Sequence, residues 1–398
     1  LAVTELDILV DRRVNISLDL GMKLKYRHIL PILLSISVFC GSLTGATLYV
    51  ATTGDDTNGN GSQVTPYATI QKAVDSASNG DAILVLPGTY AGSGNREINT
   101  LGKLITIQSS DGPLLTIVDC GNKQAFIANS GETQDTIIDG FSITNGYVSS
   151  GRDWSGYGVI HMENCAYTIR NCIFYDNSAV ATYSTTYMAI IYKHMGNSEA
   201  GVVENCLFYN NSISGIGWTS FGGGFGGLAI GGSGGQGINP LDVTFCTFAD
   251  NTLTSSGGIT IISPLDGTIS NSVEYNNQGL YWRGEPTKAF DGFDSVEVSY
   301  CLTSHDVPDG SVGVLSGDPI FLSEGGIDYA LAEGSPAIDS GDPSLLDPDG
   351  SRADMGFRLD RFTSTTLASD LTFTLKNDGT EYWVSDCDQS ASGSLDIP

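Results

Sequence analysis

An all-β solenoid, made of stacked coils of short parallel strands, is the fold that this sequence predicts. Two observations lead to it. A self-similar unit recurs at starts 34, 40 and 26 residues apart, and no helical pattern separates the copies. A unit with such a period buries its apolar face only against its neighbours, which defines a solenoid. The copies read Ile169-Arg-Asn-Cys-Ile-Phe-Tyr-Asp-Asn177, Val203-Glu-Asn-Cys-Leu-Phe-Tyr-Asn-Asn211, Val243-Thr-Phe-Cys-Thr-Phe-Ala-Asp-Asn251 and Ile269-Ser-Asn-Ser-Val-Glu-Tyr-Asn-Asn277.

The spacing within each unit predicts a strand followed by a bend. Cys172 and Phe174 are two residues apart, which places both side chains on one face of a strand. The closing Asn residues suit a bend, because Asn tolerates the left-handed conformation and bonds its own backbone.

The cysteines that recur at one place in the unit predict a buried stack. They are Cys172, Cys206, Cys246 and Cys301. Cysteine packs as a small hydrophobe, so we expect these thiols to be reduced and unpaired, although a secreted protein permits disulfides. Metal binding ranks last, because no CxxC pair exists and the four histidines are scattered.

Residues 1–46 resemble an upstream segment followed by a secretory signal. Lys23, Lys25 and Arg27 precede an apolar run from Ile29 to Cys40, which is too short to span a membrane. Met22 stands where translation would start. The alternative is a buried N-terminal helix, but Pro31 and the basic flank argue against it. The mature protein is therefore expected to be secreted and to have no membrane span.

The chain is strongly acidic, with a formal net charge of −27. Removing residues 1–46 takes away five basic and four acidic residues and leaves a net charge of −28. Such a surface repels nucleic acid and anionic membranes, so neither is an expected partner. It also argues against an anionic polysaccharide unless a local basic cleft exists.

An opening module precedes the repeats. Leu48 to Ala51 and Ala82 to Leu86 read as strands, and between them Ile70, Ala73, Val74 and Ala77 have helical spacing. Thr65 and Pro66 are the expected cap and first-turn residues of this helix. A helix here would cover the open end of the strand stack and protect its unpaired edge.

The opening module and a later, closing stretch resemble the secreted right-handed parallel β-helix proteins of the pectate-lyase-like superfamily. The entry motifs are Leu48-Tyr-Val-Ala-Thr-Thr-Gly-Asp-Asp56 and Gly80-Asp-Ala-Ile-Leu-Val-Leu-Pro-Gly-Thr-Tyr90, and Gly334-Ser-Pro-Ala-Ile-Asp-Ser-Gly-Asp342 matches the closing segment. The resemblance covers residues 47–360 as one domain. It implies the fold specifically and an activity only weakly, because this fold hosts many functions.

Residues 361–398 change in character. Residues 373–382 read as a hairpin, and the stretch resembles the lead-in to leucine-rich repeats of bacterial surface antigens. This resemblance implies a truncated second solenoid beyond Pro398. The alternative is a short C-terminal tail with its own hairpin.

Aromatic residues gather in the excursions 146–160, 178–200 and 212–241, which follow equivalent points of the coils. Such loops form a wall on one side of the cylinder, and rows of exposed rings suit the C–H faces of sugars. Trp154, Trp218 and Trp282 are 64 residues apart twice, which predicts a spacing of two coils. The alternative is that these rings pack the loops against the cylinder. The candidate carbohydrate-binding residues are Trp154, Tyr157, Trp218, Phe221, Trp282 and Arg283.

No catalytic residue can be assigned from motifs. Pectate lyases carry Trp-Ile-Asp-His and Arg-x-Pro-x-x-Arg segments, and glycosidases of this fold usually carry Gly-His-Gly. This chain has none of them, and Arg283-Gly-Glu-Pro286 is a partial echo. No cofactor is expected; the acidic stretch from Asp342 to Asp354 is a weak candidate for Ca²⁺, because Asp347-Pro-Asp-Gly350 also fits an ordinary turn.

Two functions follow from these observations. The first is a secreted or cell-surface protein that binds a polysaccharide, a cell-surface glycan or another cell's surface without catalysis. The second is a polysaccharide lyase or glycoside hydrolase with a divergent site in the groove. The missing motifs and the surface-antigen-like C-terminal segment favour the first.

Overall fold

Long parallel sheets dominate the computed structural model. It describes residues 45–149, 157–181, 188–194, 200–215, 226–232, 240–255, 259–263, 266–278, 281–282, 285–286, 296–307, 309–324, 327–361, 375–377 and 380–382. In these residues the helical elements are α1, Ile70–Ser76, and a 3₁₀ turn, Leu359–Arg361.

The strands are short and follow one another along the whole described chain. In order they are β1 Thr47–Val50, β2 Ala82–Val85, β3 Gly88–Ala91, β4 Ile98–Asn99, β5 Thr106–Ser109, β6 Thr116–Lys123, β7 Phe126–Ala128, β8 Ile137–Asp139, β9 Ser142–Ser149, β10 Tyr157–Glu163, β11 Thr168–Arg170, β12 Ile173–Tyr175, β13 Ser178–Ala181, β14 Met188–His194, β15 Gly201–Glu204, β16 Leu207–Tyr209, β17 Ser212–Gly215, β18 Gly226–Gly232, β19 Pro240–Thr244, β20 Thr247–Ala249, β21 Thr252–Ser255, β22 Ile259–Ser263, β23 Asp266–Ser270, β24 Val273–Tyr275, β25 Tyr281–Trp282, β26 Glu285–Pro286, β27 Val296–Ser299, β28 Leu302–Thr303, β29 Leu315–Ser316, β30 Phe321–Glu324, β31 Ile327–Leu331, β32 Leu375–Asn377 and β33 Thr380–Tyr382.

Three parallel sheets form the walls of a cylinder. The first has nine strands in the order β1-β2-β5-β8-β11-β15-β19-β23-β27, and the second has six in the order β22-β18-β14-β10-β7-β4. The third has twelve; its main path is β21-β17-β13-β9-β12-β16-β20-β24-β28-β29. Each coil contributes its strands in turn and pairs them with the next coil. The chain is therefore a right-handed parallel β-helix, as predicted. Parallel strands that are joined by crossovers strongly favour this hand.

Identical side chains stack on the inside of the cylinder. Phe174 pairs in register with Phe208, and Phe208 with Phe248, so that their rings lie 4.7 and 5.0 Å apart, centroid to centroid. The predicted cysteine stack is confirmed: Cys172, Cys206, Cys246 and Cys301 are fully buried and free. Strand spacing explains both stacks, because Cys and Phe point to the same side of each wall.

A buried asparagine ladder fixes the bend after each Phe. The amide nitrogen of Asn211 donates to the Phe174 carbonyl and to Asn251 Oδ1, and Asn251 repeats this pattern with Phe208 and Asn277. The residue before each ladder Asn has positive φ, for example 54° at Asp176 and 51° at Asn210. Asn and Asp tolerate this conformation, so the prediction that they form the bends is confirmed.

Helix α1 covers the N-terminal end of the core. Its buried residues are Ile70, Ala73 and Val74, which join the main apolar cluster. The helix lies beside β1, the edge strand of the nine-stranded sheet. The predicted cap is wrong, however: Thr69 is the N-cap, and its side chain accepts a hydrogen bond from the Lys72 N–H. Thr65 instead closes a turn with Asn60 and Ser62.

The excursions predicted after the Phe-x-x-Asn motif are too long. Part of each is regular wall: β9 and β10 in the first, β13 and β14 in the second, and β17 and β18 in the third. The small and β-branched residues at these positions form strands although the repeat motif is absent from them. The segments between the paired strands, 150–156, 182–187 and 216–225, lie outside the described residues.

The segment 318–361 runs along the outside of the cylinder. Ile173 and Leu207 point outward from β12 and β16, and Phe357 covers them. Tyr329 donates to Asp250 Oδ2 at 2.7 Å, and Asn205 exchanges hydrogen bonds with the backbone of Arg358. This segment therefore closes the outer face of the third sheet.

Beyond residue 361 the described elements are β32 and β33, which pair as an antiparallel hairpin. Among the described residues, no helix is long and apolar enough to cross a membrane.

Candidate functional site

The points at which the loops leave the cylinder are stacked in register. Ser149 of β9 is next to Val180 of β13, Val180 faces Ser214 of β17, and Ser214 faces Thr254 of β21. The strands that receive the loops, β10, β14, β18 and β22, are likewise consecutive neighbours. We call this part of the cylinder, defined by the ends of β9, β13, β17 and β21 and the starts of β10, β14, β18 and β22, the loop side.

The register describes the strands that precede the three tryptophans in sequence. Trp154 follows β9 and Trp218 follows β17, two strands along the same sheet. Trp282 follows Gln278, which bridges to Thr252 of β21 and so begins the coil after it. The strands that lead into these segments therefore lie two coils apart, and the in-phase arrangement of the rings stays a prediction.

The ring positions themselves are mostly not described. Trp154, Trp218, Phe221 and Arg283 lie outside the described residues. The backbone of Trp282 belongs to β25, where it pairs with Glu285 of β26 in a short antiparallel hairpin. Their role in carbohydrate binding stays a prediction.

Tyr157 is the candidate residue whose side chain is described. It begins β10, is half-buried, and its ring centroid lies 6.0 Å from that of His161. His161 in turn stacks on Tyr192 of the next coil at 5.8 Å with an interplanar angle of 15°. Tyr192 is fully buried. Tyr157 thus forms the accessible end of a stack of three rings, which continues through His161 of the same strand to Tyr192 of the next coil.

The acidic stretch 342–354 is tied down by arginines and turns. Asp347 accepts hydrogen bonds from Arg358 and Arg361, and Asp354 also pairs with Arg358. The Arg361 guanidinium lies 3.5 Å from the centroid of the Phe245 ring. These contacts anchor segment 318–361 on the cylinder; Ca²⁺ binding by this stretch stays a prediction.

A buried carboxylate interrupts the phenylalanine stack in the last coils. Glu274 pairs in register with Phe248 and is fully buried. Its Oε1 accepts from Asn277 at 2.9 Å, and its Oε2 accepts from Thr303 at 2.7 Å and from His305 Nδ1 at 2.9 Å. The asparagine ladder therefore ends with the hydrogen bond from Asn277 to Glu274, and Glu274 in turn pairs with His305.

The electrostatics of this pair favour two charges. Burial alone would raise the pKa of Glu274, but the hydrogen bonds from His305 and Asn277 outweigh it and lower the pKa. The same hydrogen bond from Glu274 raises the pKa of His305 above 6.5. His305 is partly exposed, with 27% of its side chain accessible, so it connects the buried carboxylate to the surface.

His305 lines an open cavity of about 690 Å³ in the last coil, which we call the end pocket. Asp306 and Asp309 supply exposed carboxylates, and Val314 and Leu315 supply an aliphatic wall. The complete lining is Thr303, His305, Asp306, Val307, Asp309, Gly310, Ser311, Gly313, Val314, Leu315 and Ser316.

Sequence reasoning missed the end pocket, although the repeat contains a signal for it. In the fourth copy of the unit, Ser272 and Glu274 stand where the other copies have Cys and Phe. A charged residue at an inward position of a solenoid needs a partner from the next coil. Thr303 and His305 provide it, 29 and 31 residues further on.

Comparisons with known proteins assign the chain to no family. No family model and no curated protein matches the chain. Among solved structures it is similar to the pectate lyase Pel9A, with 16% identity, 79% of this chain and 96% of that chain covered, and a TM-score of 0.34. A rhamnogalacturonan lyase gives 15% identity, the same coverage and a TM-score of 0.34. A carrot pectin methylesterase gives 11% identity, 69% and 89% coverage and a TM-score of 0.29. These values carry no argument about activity, and the fold class rests on the chain's own sheets.

Proposed function

We propose that this chain is a secreted or cell-surface β-helix protein that binds an extended glycan, or the glycan-bearing surface of another cell, without catalysing a reaction on it. The observation that carries the proposal is the register of the loop side. Successive coils hold the strand ends that lead into the loops one rung of about 4.8 Å apart, and a ligand that runs along the cylinder axis would meet one such strand end in each coil.

The aromatic residues of these loops suit such a ligand. Loops two coils apart are separated by roughly 10 Å, which is close to a disaccharide repeat. Rings at Trp154, Trp218 and Trp282 would then stack on alternate sugars of one chain. Tyr157, half-buried beside the first of these loops, would extend the same surface.

The charge of the protein narrows the ligand class. A net charge of −27 repels nucleic acid and disfavours polyanionic glycans, so a neutral polysaccharide is the expected partner. The basic, apolar segment 22–46 supports export, and the surface-antigen-like C-terminal segment supports attachment at a cell surface.

A glycan array tests the proposal with the full chain and two variants. The triple Trp154→Ala, Trp218→Ala, Trp282→Ala protein is expected to bind the glycan with an affinity lower by about tenfold or more, since the stacking of a sugar on one ring contributes on the order of 1 kcal/mol. Trp383→Ala is the matched control, because it removes a tryptophan from the C-terminal segment. Unchanged affinity in the triple variant would refute the proposed surface.

The same preparation decides between binding and catalysis. Incubation with each bound polysaccharide, followed by assays for unsaturated uronides and for new reducing ends, is expected to show neither product. Either product would overturn the non-catalytic proposal in favour of a lyase or a hydrolase, respectively.

A further inference from the structure

The end pocket combines features that a small polar ligand requires. Its cavity of about 690 Å³ lies within the range of small-molecule sites and would accommodate one or two sugar rings. Its lining combines the carboxylates of Asp306 and Asp309 with the aliphatic side chains of Val314 and Leu315. Sugars present this same combination of hydroxyl groups and C–H faces.

The histidine in this pocket is held in one orientation. Its Nδ1 is engaged by Glu274 at 2.9 Å, and Glu274 is itself fixed by Thr303 and Asn277. Nε2 is then the ring nitrogen that can bond to a molecule in the pocket. A donor or acceptor fixed in advance loses little entropy on binding, which is a property of specific sites.

A buried glutamate at this position lowers the stability of the fold unless hydrogen bonds and an opposite charge compensate it. The other copies of the unit fill the same inward position with Phe174, Phe208 and Phe248, so an apolar residue is compatible with the coil. Glu274 replaces the ring with a carboxylate whose described partners include a histidine at the surface of the pocket. Glu274 therefore fixes the orientation of His305, and His305 compensates the buried charge of Glu274.

We propose that the end pocket is a second binding site, for a single neutral sugar residue, in which His305 makes the central hydrogen bond and Glu274 positions it. The carboxylates of Asp306 and Asp309 accept hydrogen bonds from sugar hydroxyl groups and repel uronic acids. The site is separate from the loop side and does not depend on the tryptophans there.

Saturation-transfer NMR with the full chain tests this assignment. The probes are methyl β-D-glucopyranoside and methyl β-D-glucuronide, which share one ring and differ by a carboxylate. The glucoside is expected to bind in the millimolar range and the glucuronide at least severalfold more weakly. Absence of transfer to the glucoside, or equal transfer to both probes, would overturn the proposal.

Two variants separate the role of His305 in binding from its role in the fold. In His305→Asn the amide nitrogen stands at the place of Nδ1 and keeps the bond to Glu274, whereas Nε2 is lost. Glucoside affinity is expected to fall by about tenfold, because one ligand hydrogen bond is removed. The melting temperature is expected to change little at alkaline pH, where the wild-type His305 is also uncharged. Unchanged affinity in this variant contradicts the proposal.

Asp309→Asn is the second variant and Asp135→Asn its charge-matched control. Both carboxylates are exposed, and Asp135 belongs to an early coil. The first change is expected to raise glucuronide binding relative to glucoside binding, and the control to change neither; equal effects of both would refute a role for the pocket carboxylates.

The triple tryptophan variant should retain glucoside binding in the pocket. Loss of array binding alone therefore counts against the proposed function and not against this site.

Discussion

Replacing Asn211 with alanine removes one rung of the buried asparagine ladder. Asn211 Nδ2 donates to the Phe174 carbonyl at 2.8 Å and to Asn251 Oδ1 at 3.1 Å. Its Oδ1 accepts from the Asn177 N–H at 3.1 Å and from Asn177 Nδ2 at 3.0 Å. Alanine makes none of these four bonds.

The expected loss of stability follows from the buried polar groups that lose their hydrogen-bond partner. The Asn177 N–H loses its acceptor inside a buried bend, and a stranded buried donor costs about 1–3 kcal/mol. The other three bonds have partners with further contacts, so their loss adds roughly 0.5 kcal/mol each. We therefore expect Asn211→Ala to lower the free energy of unfolding by about 3 kcal/mol.

The neighbouring residue is a matched control. Asn210 precedes Asn211 in the same bend, but it is exposed and has a φ of 51°. Glycine adopts this conformation readily, so Asn210→Gly should change the free energy of unfolding by less than about 0.5 kcal/mol.

Urea unfolding followed by far-ultraviolet circular dichroism measures both variants. Amide hydrogen exchange adds a local readout, because the Asn177 N–H should exchange about a hundredfold faster in Asn211→Ala. Equal stability of the two variants, or an unchanged exchange rate at Asn177, would refute the idea that the ladder holds the coils together.

Three further predictions concern other parts of the cylinder. Cys206 is fully buried, and burial raises the pKa of its thiol, so iodoacetamide should label it only after unfolding; rapid labelling of the native protein would contradict the stack. Ile70→Asp should uncover the edge of the first coil and cause aggregation in light scattering, whereas Ser76→Asp on the exposed side of α1 should not. The pair of Glu274 and His305 should stabilise the protein most between about pH 4.5 and 6.5. The raised pKa of His305 means that its contribution is complete below 6.5 and is lost as the pH rises through the folded value, and the lowered pKa of Glu274 means that its contribution is lost as the pH falls below 4.5. Melting temperatures across this range, with His305→Asn lacking the loss on the alkaline side, provide the measurement.

The repeat unit alone predicts the walls of the cylinder. Its two-residue spacing specifies which side chains point inward, and in a solenoid every inward position meets its counterpart one coil away. The stacks of Cys172 and Phe174 with their equivalents and the bends at the Asn residues could therefore be predicted from local sequence. The fold class follows from the same local rules.

Segments without the repeat were less predictable. Residues 178–200 contain two wall strands that their sequence does not reveal, because pairing with the preceding coil, and not local propensity, makes them strands. The true cap of α1 also depends on the tertiary structure. Thr69 is held by Asp56 from the preceding loop, which leaves Thr65 to a separate turn.

The sequence by itself determined an acidic parallel β-helix, its inward stacks and the bends at its Asn residues, because neighbouring coils repeat the same short pattern. Only the tertiary structure decided where the segment from residue 318 to residue 361 packs, which residue caps α1, and what Glu274 contacts. These features depend on residues that are distant in sequence and come together through the stacking of unequal coils. Glu274 looks like a defect within its own unit, and it acquires a partner only when the following coil brings His305 to it.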